Sequence, residues 1–370
     1  MIPVNQPRFC GKEKILLSQC IDSGWISSDG PFVKEFENKF ADFIGTRHGV
    51  SVCNGTAALE AALFAVGIKK GDEVIMPAFT IISCALAVIR LGAIPVLVDA
   101  EPRTWNMDVS LIEPRITKKT KAIIPVHIYG HPVDMGPVLR LAKKYGLMVI
   151  EDAAEVHGAE YKGRKCGSLG DASAWSFYAN KIITTGEGGM VLTSDSKIAE
   201  RAASYRNLCF RPEKRFYHTE LGFNFRMTNL QAAVGVAQLG CINDFIRIKR
   251  NLGEYYRKGL LELNGIKCQE EMPWAKMVYW MYCIELDKAL KIDAETMMKK
   301  LSDKGIGARP FFLGLHRQPA LRKLGLFKGE KYPVTERISR LGLYLPSGLT
   351  LTEKQIDKVV SAVGSIIKKR

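Results

Sequence analysis

The chain has 370 residues, 47% of them hydrophobic and 25% charged, which is enough for two domains with sizeable cores. Its formal net charge is +15, from 53 basic and 38 acidic side chains, but the excess is dispersed. No zinc finger, basic heptad helix or aromatic RNA-binding signature accompanies it, so nucleic acid is not the expected partner, and no apolar run reaches the roughly 18 residues of a membrane span.

The start, "MIPVNQPRFCGKEK", lacks the charged-then-apolar order of a signal peptide. Nine cysteines are scattered, with no Cys-x-x-Cys pair and an odd count. That pattern predicts reduced thiols in a cytoplasmic protein, without a structural zinc or a disulfide framework.

Taken in chain order, the first elements alternate. A short strand, Val50–Cys53, breaks at Asn54-Gly55, and Thr56–Ile68 carries apolar residues at helical spacing. Asp72–Pro77 reads as a buried strand, Thr80–Ala93 as a helix and Ile94–Asp99 as a strand. Lys121–Ile128, a helix around "MGPVLRLAKKYG", and the strand Leu147–Asp152 continue the series, and "ASAWSFY" and "GGMVLTS" add two more strands. Short apolar strands between helices predict an α/β fold with a largely parallel sheet covered on both faces. After Gln238 the texture changes to a long amphipathic helix, Ile242–Leu263. The strand "WMYCIEL", the helix "DAETMMKKLSDKG" and a final helix, "TEKQIDKVVSAVGSIIKK", follow. This predicts a large domain over residues 1–240 and a smaller α+β domain over 241–370.

Ligands of such sheets collect at the carboxyl ends of the strands. Three features fall there. The corner "SVCNGTAALEAAL" starts a helix whose free N–H groups and aligned dipoles suit an anion, usually phosphate. It is not a Walker loop, because no Gly-Lys-Ser/Thr follows. The strand "LMVIEDAAEVHG" ends in Glu151 and Asp152, with Glu155 just beyond; a carboxylate there can hold a protonated ring nitrogen. The run "WSFYANKIITTGEGGM" sets Ser176 at a strand end and Lys181 before a turn that Gly186, Gly188 and Gly189 leave bare. A partly desolvated lysine gives up part of its preference for the charged form and becomes a nucleophile. Each feature alone also fits a ligand-free explanation: a capped helix, a solvated turn, a surface lysine. Together, a phosphate cradle, a carboxylate and a reactive amine are what pyridoxal 5′-phosphate requires. His127 and His131 in "HIYGH" have a metal-like spacing, but Gly130 and Pro132 argue against a helix there, and no metal site is expected.

With those residues in place, the chain resembles the DegT/DnrJ-type sugar aminotransferases, a branch of the fold-type I pyridoxal-phosphate enzymes. The resemblance runs nearly end to end, through "SVCNGTAALEAAL", "GDEVIMPAFT", "IPVHIYGHPVDM", "VIEDAAEVHGAEYKGRKCGSLGD", "WSFYANKIITTGEGGM" and "GFNFRMTNLQAAVG". Within the family, "GWISSDGPFVKEFENKFADFIG" and "NKIITTGEGGM" are most similar to GDP-perosamine synthases, which aminate C4 of GDP-4-keto-6-deoxy-mannose with L-glutamate as donor.

The resemblance implies that Lys181 is the Schiff-base lysine and Asp152 the partner of the pyridine nitrogen. Gly55, Thr56 and Ser176 take phosphate positions, and Glu155 lies near the cofactor's phenolic oxygen. Asn224 matches an Asn that reaches the phosphate of the neighbouring subunit, which implies a homodimer with shared active sites. Trp25, Ser27 and His316 fall at the sugar site, with residues 1–30 close by. One departure stands out: relatives often stack an aromatic ring on the cofactor where this chain has Ile81. An aliphatic cover packs by dispersion but forgoes an aromatic contact worth about 0.5–1.5 kcal/mol.

The implied reaction is a ping-pong transamination in which Lys181 moves the proton. Rivals are transfer to a dTDP- or UDP-linked 4-keto sugar, a dehydratase on the same fold, and a non-catalytic binding protein. Dehydratase relatives carry His in place of the lysine, so Lys181 speaks against that reading.

Overall fold

The computed structural model describes residues 1–211, 213–214 and 216–368. Its centre is a seven-stranded sheet in the order β1-β9-β8-β5-β4-β2-β3. These strands are β1 (His48–Val52), β2 (Glu73–Pro77), β3 (Ile94–Val98), β4 (Thr120–Ile123), β5 (Met148–Asp152), β8 (Ala172–Ser176) and β9 (Gly189–Thr193). The five from β3 to β8 run parallel, while β9 is antiparallel to both β8 and β1. Between β5 and β8 lie β6 (Glu160–Tyr161) and β7 (Arg164–Lys165), which pair with β11 (Ala275–Lys276). A four-stranded antiparallel sheet follows from β10 (Ile266–Cys268), β12 (Tyr282–Leu286), β13 (Arg309–Pro310) and β14 (Gly342–Leu345).

The helices are α1 (Lys12–Ser23), α2 (Pro31–Ile44), α3 (Gly55–Ala65), α4 (Ser83–Arg90), α5 (Met135–Tyr145), α6 (Ser196–Arg206), α7 (Asn229–Leu239) and α8 (Ile242–Leu260), then α9 (Ala294–Ser302), α10 (Pro319–Lys323), α11 (Pro333–Leu341) and α12 (Glu353–Lys368). The predicted end of the last helix at Lys369 lies outside the described residues.

Two buried clusters hold these layers together. One surrounds the large sheet and includes Phe36, Phe40, Leu63, Ile75, Ile150, Trp175 and Phe177. It also takes in Trp280, Phe311 and Leu315 from the second half of the chain. The other gathers Tyr256, Leu260, Ile284, Met297, Leu343, Val359 and Val363 around the small sheet. Each large apolar side chain so buried contributes about 1.5–3 kcal/mol. Helix α8 supplies a stripe at helical spacing: Ile242, Phe245, Lys249, Gly253, Tyr256 and Leu260.

Several expected boundaries shift, among them the end of α8, at Leu260 rather than Leu263, and three have a clear physical cause. The β4 ladder stops at Ile123 instead of running to Ile128, because Pro125 has no N–H to continue it; only separate bonds such as Asp152 N to Pro125 O, 2.9 Å, carry on. Helix α3 ends at Ala65, closed by Gly67 at φ 91°. Helix α4 starts at Ser83, not Thr80, because the chain is still tied to the sheet by Ala78 N to Val98 O at 2.7 Å. Among the described residues, no helix is long and apolar enough to cross a membrane.

Candidate active site

The carboxyl ends of β2, β5 and β8 meet the starts of α3 and α4. Asn54 caps α3 by accepting the N–H of Ala57 at 2.9 Å. The cap leaves the N–H groups of Gly55 and Thr56, the first two helical positions, without intrahelical acceptors. The corner is pressed between strands. A Cβ on Gly55 would stand 2.8 Å from Ser176 Cβ, and one on Gly189 would stand 2.3 Å from Asn54 O. Thr56 Oγ1 lies 2.9 Å from Ser83 Oγ at the start of α4, so two helix starts and two hydroxyls share one spot.

The next residue along, Cys84, donates its thiol proton to Asp152 Oδ2 at 3.1 Å. Asp152 ends β5, is 4% exposed, and accepts the N–H of Ala154 on its other oxygen at 3.1 Å. Strand alternation turns Glu151 to the opposite face. There it accepts from the N–H groups of Gly167, Leu169 and Gly170, each at 2.7 Å, and bonds His127 Nε2 at 3.0 Å. Burial alone would raise the Glu151 pKa, but the bonds from His127 and the backbone outweigh it and hold the carboxyl below its ordinary range. His127 and His131 are both engaged in protein hydrogen bonds, His131 with Asn106 and Met272 N.

Lys181 lies just beyond Asp152. Its Nζ is 3.9 Å from Glu155 Oε1 and 3.8 Å from the centroid of the Trp280 ring. Glu155 in turn accepts the N–H of Tyr129 at 2.6 Å, a residue held at φ 55°. Burial drives both members of the pair toward neutrality. It lowers the Lys181 pKa, against the pull of Glu155 and Asp152. It raises Glu155 to about 7, against the pull of Lys181. His157 is buried beside Phe40, Trp175 and Phe177, and burial pushes its pKa down to about 3.

The structure thus brings together Gly55, Thr56, Ser176, Asp152, Glu155 and Lys181. Ile81, 44% exposed, lies on the loop leading to Ser83. Asn224 is exposed on a strand-like segment whose next residue, Phe225, accepts the N–H of Cys53 at 2.8 Å. Trp25 and Ser27 are exposed, with their backbone carbonyls held by Asn229 at the start of α7. His316 is 1% exposed, bonds Glu336 through Nε2 at 3.0 Å and packs on Tyr332. Its turn reaches the end of β2 through Leu315 N to Ala78 O, 2.8 Å.

Sequence reasoning missed Ser83, Cys84 and Trp280. Ser83 lay inside the helix expected from Thr80, so nothing local marked it as a helix start. Cys84 was hidden inside a helix drawn too long, and no local pattern links Trp280 to Lys181.

The sequence matches the DegT/DnrJ/EryC1/StrS aminotransferase family over residues 10–364. This chain belongs to that family. It is 42% identical over 367 residues to a GDP-perosamine synthase of Caulobacter vibrioides, with 99% of this chain and 98% of that protein covered. The crystal structure of the aminotransferase TlmJ from Streptoalloteichus hindustanus superposes with a TM-score of 0.92 at 30% identity, covering 100% of this chain and 99% of that one. DesI, solved in the presence of its TDP-sugar product, gives 0.90 at 30% identity, covering 100% and 93%. The protein is a pyridoxal-phosphate-dependent aminotransferase of fold type I.

The residues of this aminotransferase fit that cofactor. The bare Gly55 corner with its two unspent N–H groups suits a phosphate, Asp152 suits a ring nitrogen, and the buried Lys181 amine suits an aldehyde. Gly55→Ala tests the corner. The added methyl meets Ser176, so the variant is expected to lose about 1–3 kcal/mol of stability and to release cofactor on dialysis that the wild type retains.

Proposed function

We propose that this aminotransferase moves an amino group from L-glutamate to the C4 keto carbon of a nucleotide-linked 4-keto-6-deoxy sugar, converting GDP-4-keto-6-deoxy-D-mannose to GDP-perosamine. The observation that carries the reaction type is the Lys181 amine, buried 3.9 Å from Glu155 beside Asp152. The sugar assignment is supported by the 42% identity to the Caulobacter synthase.

Bound pyridoxal 5′-phosphate supplies an electron sink and a carbonyl that accepts and returns the amino group. Lys181 acts as nucleophile and then carries a proton away from the donor Cα, because burial favours its neutral amine. Glu155, raised to about 7, holds or yields a proton beside it at neutral pH. Asp152 would hold the ring nitrogen, and Cys84 fixes one of its oxygens. Gly55, Thr56 and Ser176 would receive the phosphate, with Ser83 beside them, and Ile81 would cover the ring. Asn224 completes the phosphate site of the partner in a homodimer, and Trp25, Ser27 and His316 serve the sugar end. In this reading residues 1–240 carry the cofactor, residues 241–370 form the smaller domain, and the protein works in the cytoplasm.

The likeness to DesI favours a second reading, a TDP-linked substrate. Incubation with L-glutamate and GDP-, TDP- and UDP-linked 4-keto-6-deoxy sugars, read by mass spectrometry, separates them. The expected result is amination of the GDP sugar. Conversion of the TDP sugar alone would reassign the substrate, and conversion of none, with no cofactor band that survives dialysis, would favour a non-catalytic protein.

A further inference from the structure

One residue in the buried stripe of α8 is out of character. Lys249 is 3% exposed, and among the described residues no carboxylate pairs with it. Its Nζ donates instead to the backbone carbonyls of Trp280, at 2.6 Å, and Ser347. Burial pushes its pKa down to about 7. Charged or neutral, the amine keeps the two N–H donors that two carbonyls need. A methionine or leucine would fill the same stripe without burying a polar head, so packing alone does not account for the lysine.

The carbonyl it grips belongs to the residue beneath Lys181. The ring of Trp280 lies 3.8 Å from Lys181 Nζ. The indole Nε1 donates to Asn180 O at 2.8 Å, and Asn5 Nδ2 donates to the same oxygen at 2.8 Å. Beside Asn5, Val4 O accepts the N–H of Ser347 at 2.8 Å, and Ser347 O is the second acceptor of Lys249. The bonds close into a ring through Lys249, Trp280, Asn180, Asn5, Val4 and Ser347. It passes through the residue immediately before Lys181.

We propose that Lys249 is a positioning residue for Lys181: it holds Trp280, and Trp280 forms the floor on which the reactive amine lies. The inference rests on the reading of Lys181 as the reactive amine. Lys181 is also faced by Glu155, Asp152 and His157, and the variants below leave those three in place.

The test uses Lys249→Met, Lys249→Arg, Trp280→Phe and Asn5→Ala. In the cofactor-loaded protein, the visible band is titrated with pH and kcat and KM for L-glutamate are measured. In the cofactor-free full chain, acetylation of Lys181 is followed against pH by mass spectrometry. Lys249→Met is expected to move both titration midpoints by about half a pH unit or more. It is also expected to lower kcat about 10- to 100-fold with little change in KM. Lys249→Arg, with donors for both carbonyls, restores the wild-type values. Trp280→Phe, which keeps a ring but loses the bond to Asn180, and Asn5→Ala shift the midpoints in the same direction by less. A folded Lys249→Met with unmoved midpoints overturns the proposal. If that variant does not fold, Trp280→Phe and Asn5→Ala decide: movement supports the ring, and unmoved midpoints in both overturn it. A wild-type protein that forms no visible band sinks the cofactor reading instead, while the acetylation midpoint still reports whether Lys249 places the amine.

Discussion

Lys181→Ala is expected to lose turnover by about 10⁴-fold or more while keeping its fold. Two functions leave together: the nucleophile that holds the cofactor and the base that carries the proton. Among the described residues, the ion-pair partner of Glu155 is Lys181 itself. The fold survives because burial already works against the charged amine, so removing it also removes a desolvation cost. Glu155, already raised to about 7, then loses the cation that restrained it and shifts further toward its neutral form. The expected signs are a denaturation midpoint within about 3 °C of wild type, no visible band that resists dialysis, and no product. A variant that still turned over at wild-type rate would remove Lys181 from the mechanism.

Asp152→Asn is expected to cost about 10²- to 10³-fold in kcat, with smaller change in KM. The substitution preserves shape and exchanges a carboxylate for a neutral amide where positive charge must be balanced. Cys84 donates to Oδ2 and Ala154 N to Oδ1, so an amide, with one oxygen, can accept only one of these two bonds in either orientation. The altered side chain is therefore both uncharged and less firmly oriented. Measurement of kcat and KM, with the cofactor spectrum as a check on loading, decides the matter. Wild-type kcat in a fully loaded variant would contradict the ring-nitrogen assignment.

Much of this site was legible because its parts are local. Asn54-Gly55-Thr56, the acidic end of β5, and Lys181 before a glycine turn each announce themselves within a few residues, and strand-end chemistry ties them to one edge of the sheet. What escaped was set by neighbours distant in sequence. The direction of β9 depends on its pairing with both β8 and β1, which alternation cannot reveal. The start of α4 depends on Ala78 staying bonded to Val98, a tertiary restraint that overrides helix-like spacing from Thr80. Pro125 did carry a local signal against extending β4. Trp280 and Asn5 reach the Asn180 carbonyl from opposite sides of it in sequence, and only the folded molecule shows that they meet.

The reversal of β9 has a mechanical consequence. Parallel neighbours in this sheet are joined by excursions over its faces, which tolerate changes in length. Ser176 and Gly189 instead face each other across the β8–β9 ladder, and the stretch carrying Lys181 must leave and return at that same rung. Its path is pinned at Phe177 N to Gly188 O, 2.8 Å, and at Thr185 N to Phe177 O, 2.9 Å. The amine is mounted on a short bracket bolted at both feet, so one extra residue between them would displace it, whereas the loops at the far edge of the sheet could lengthen unnoticed.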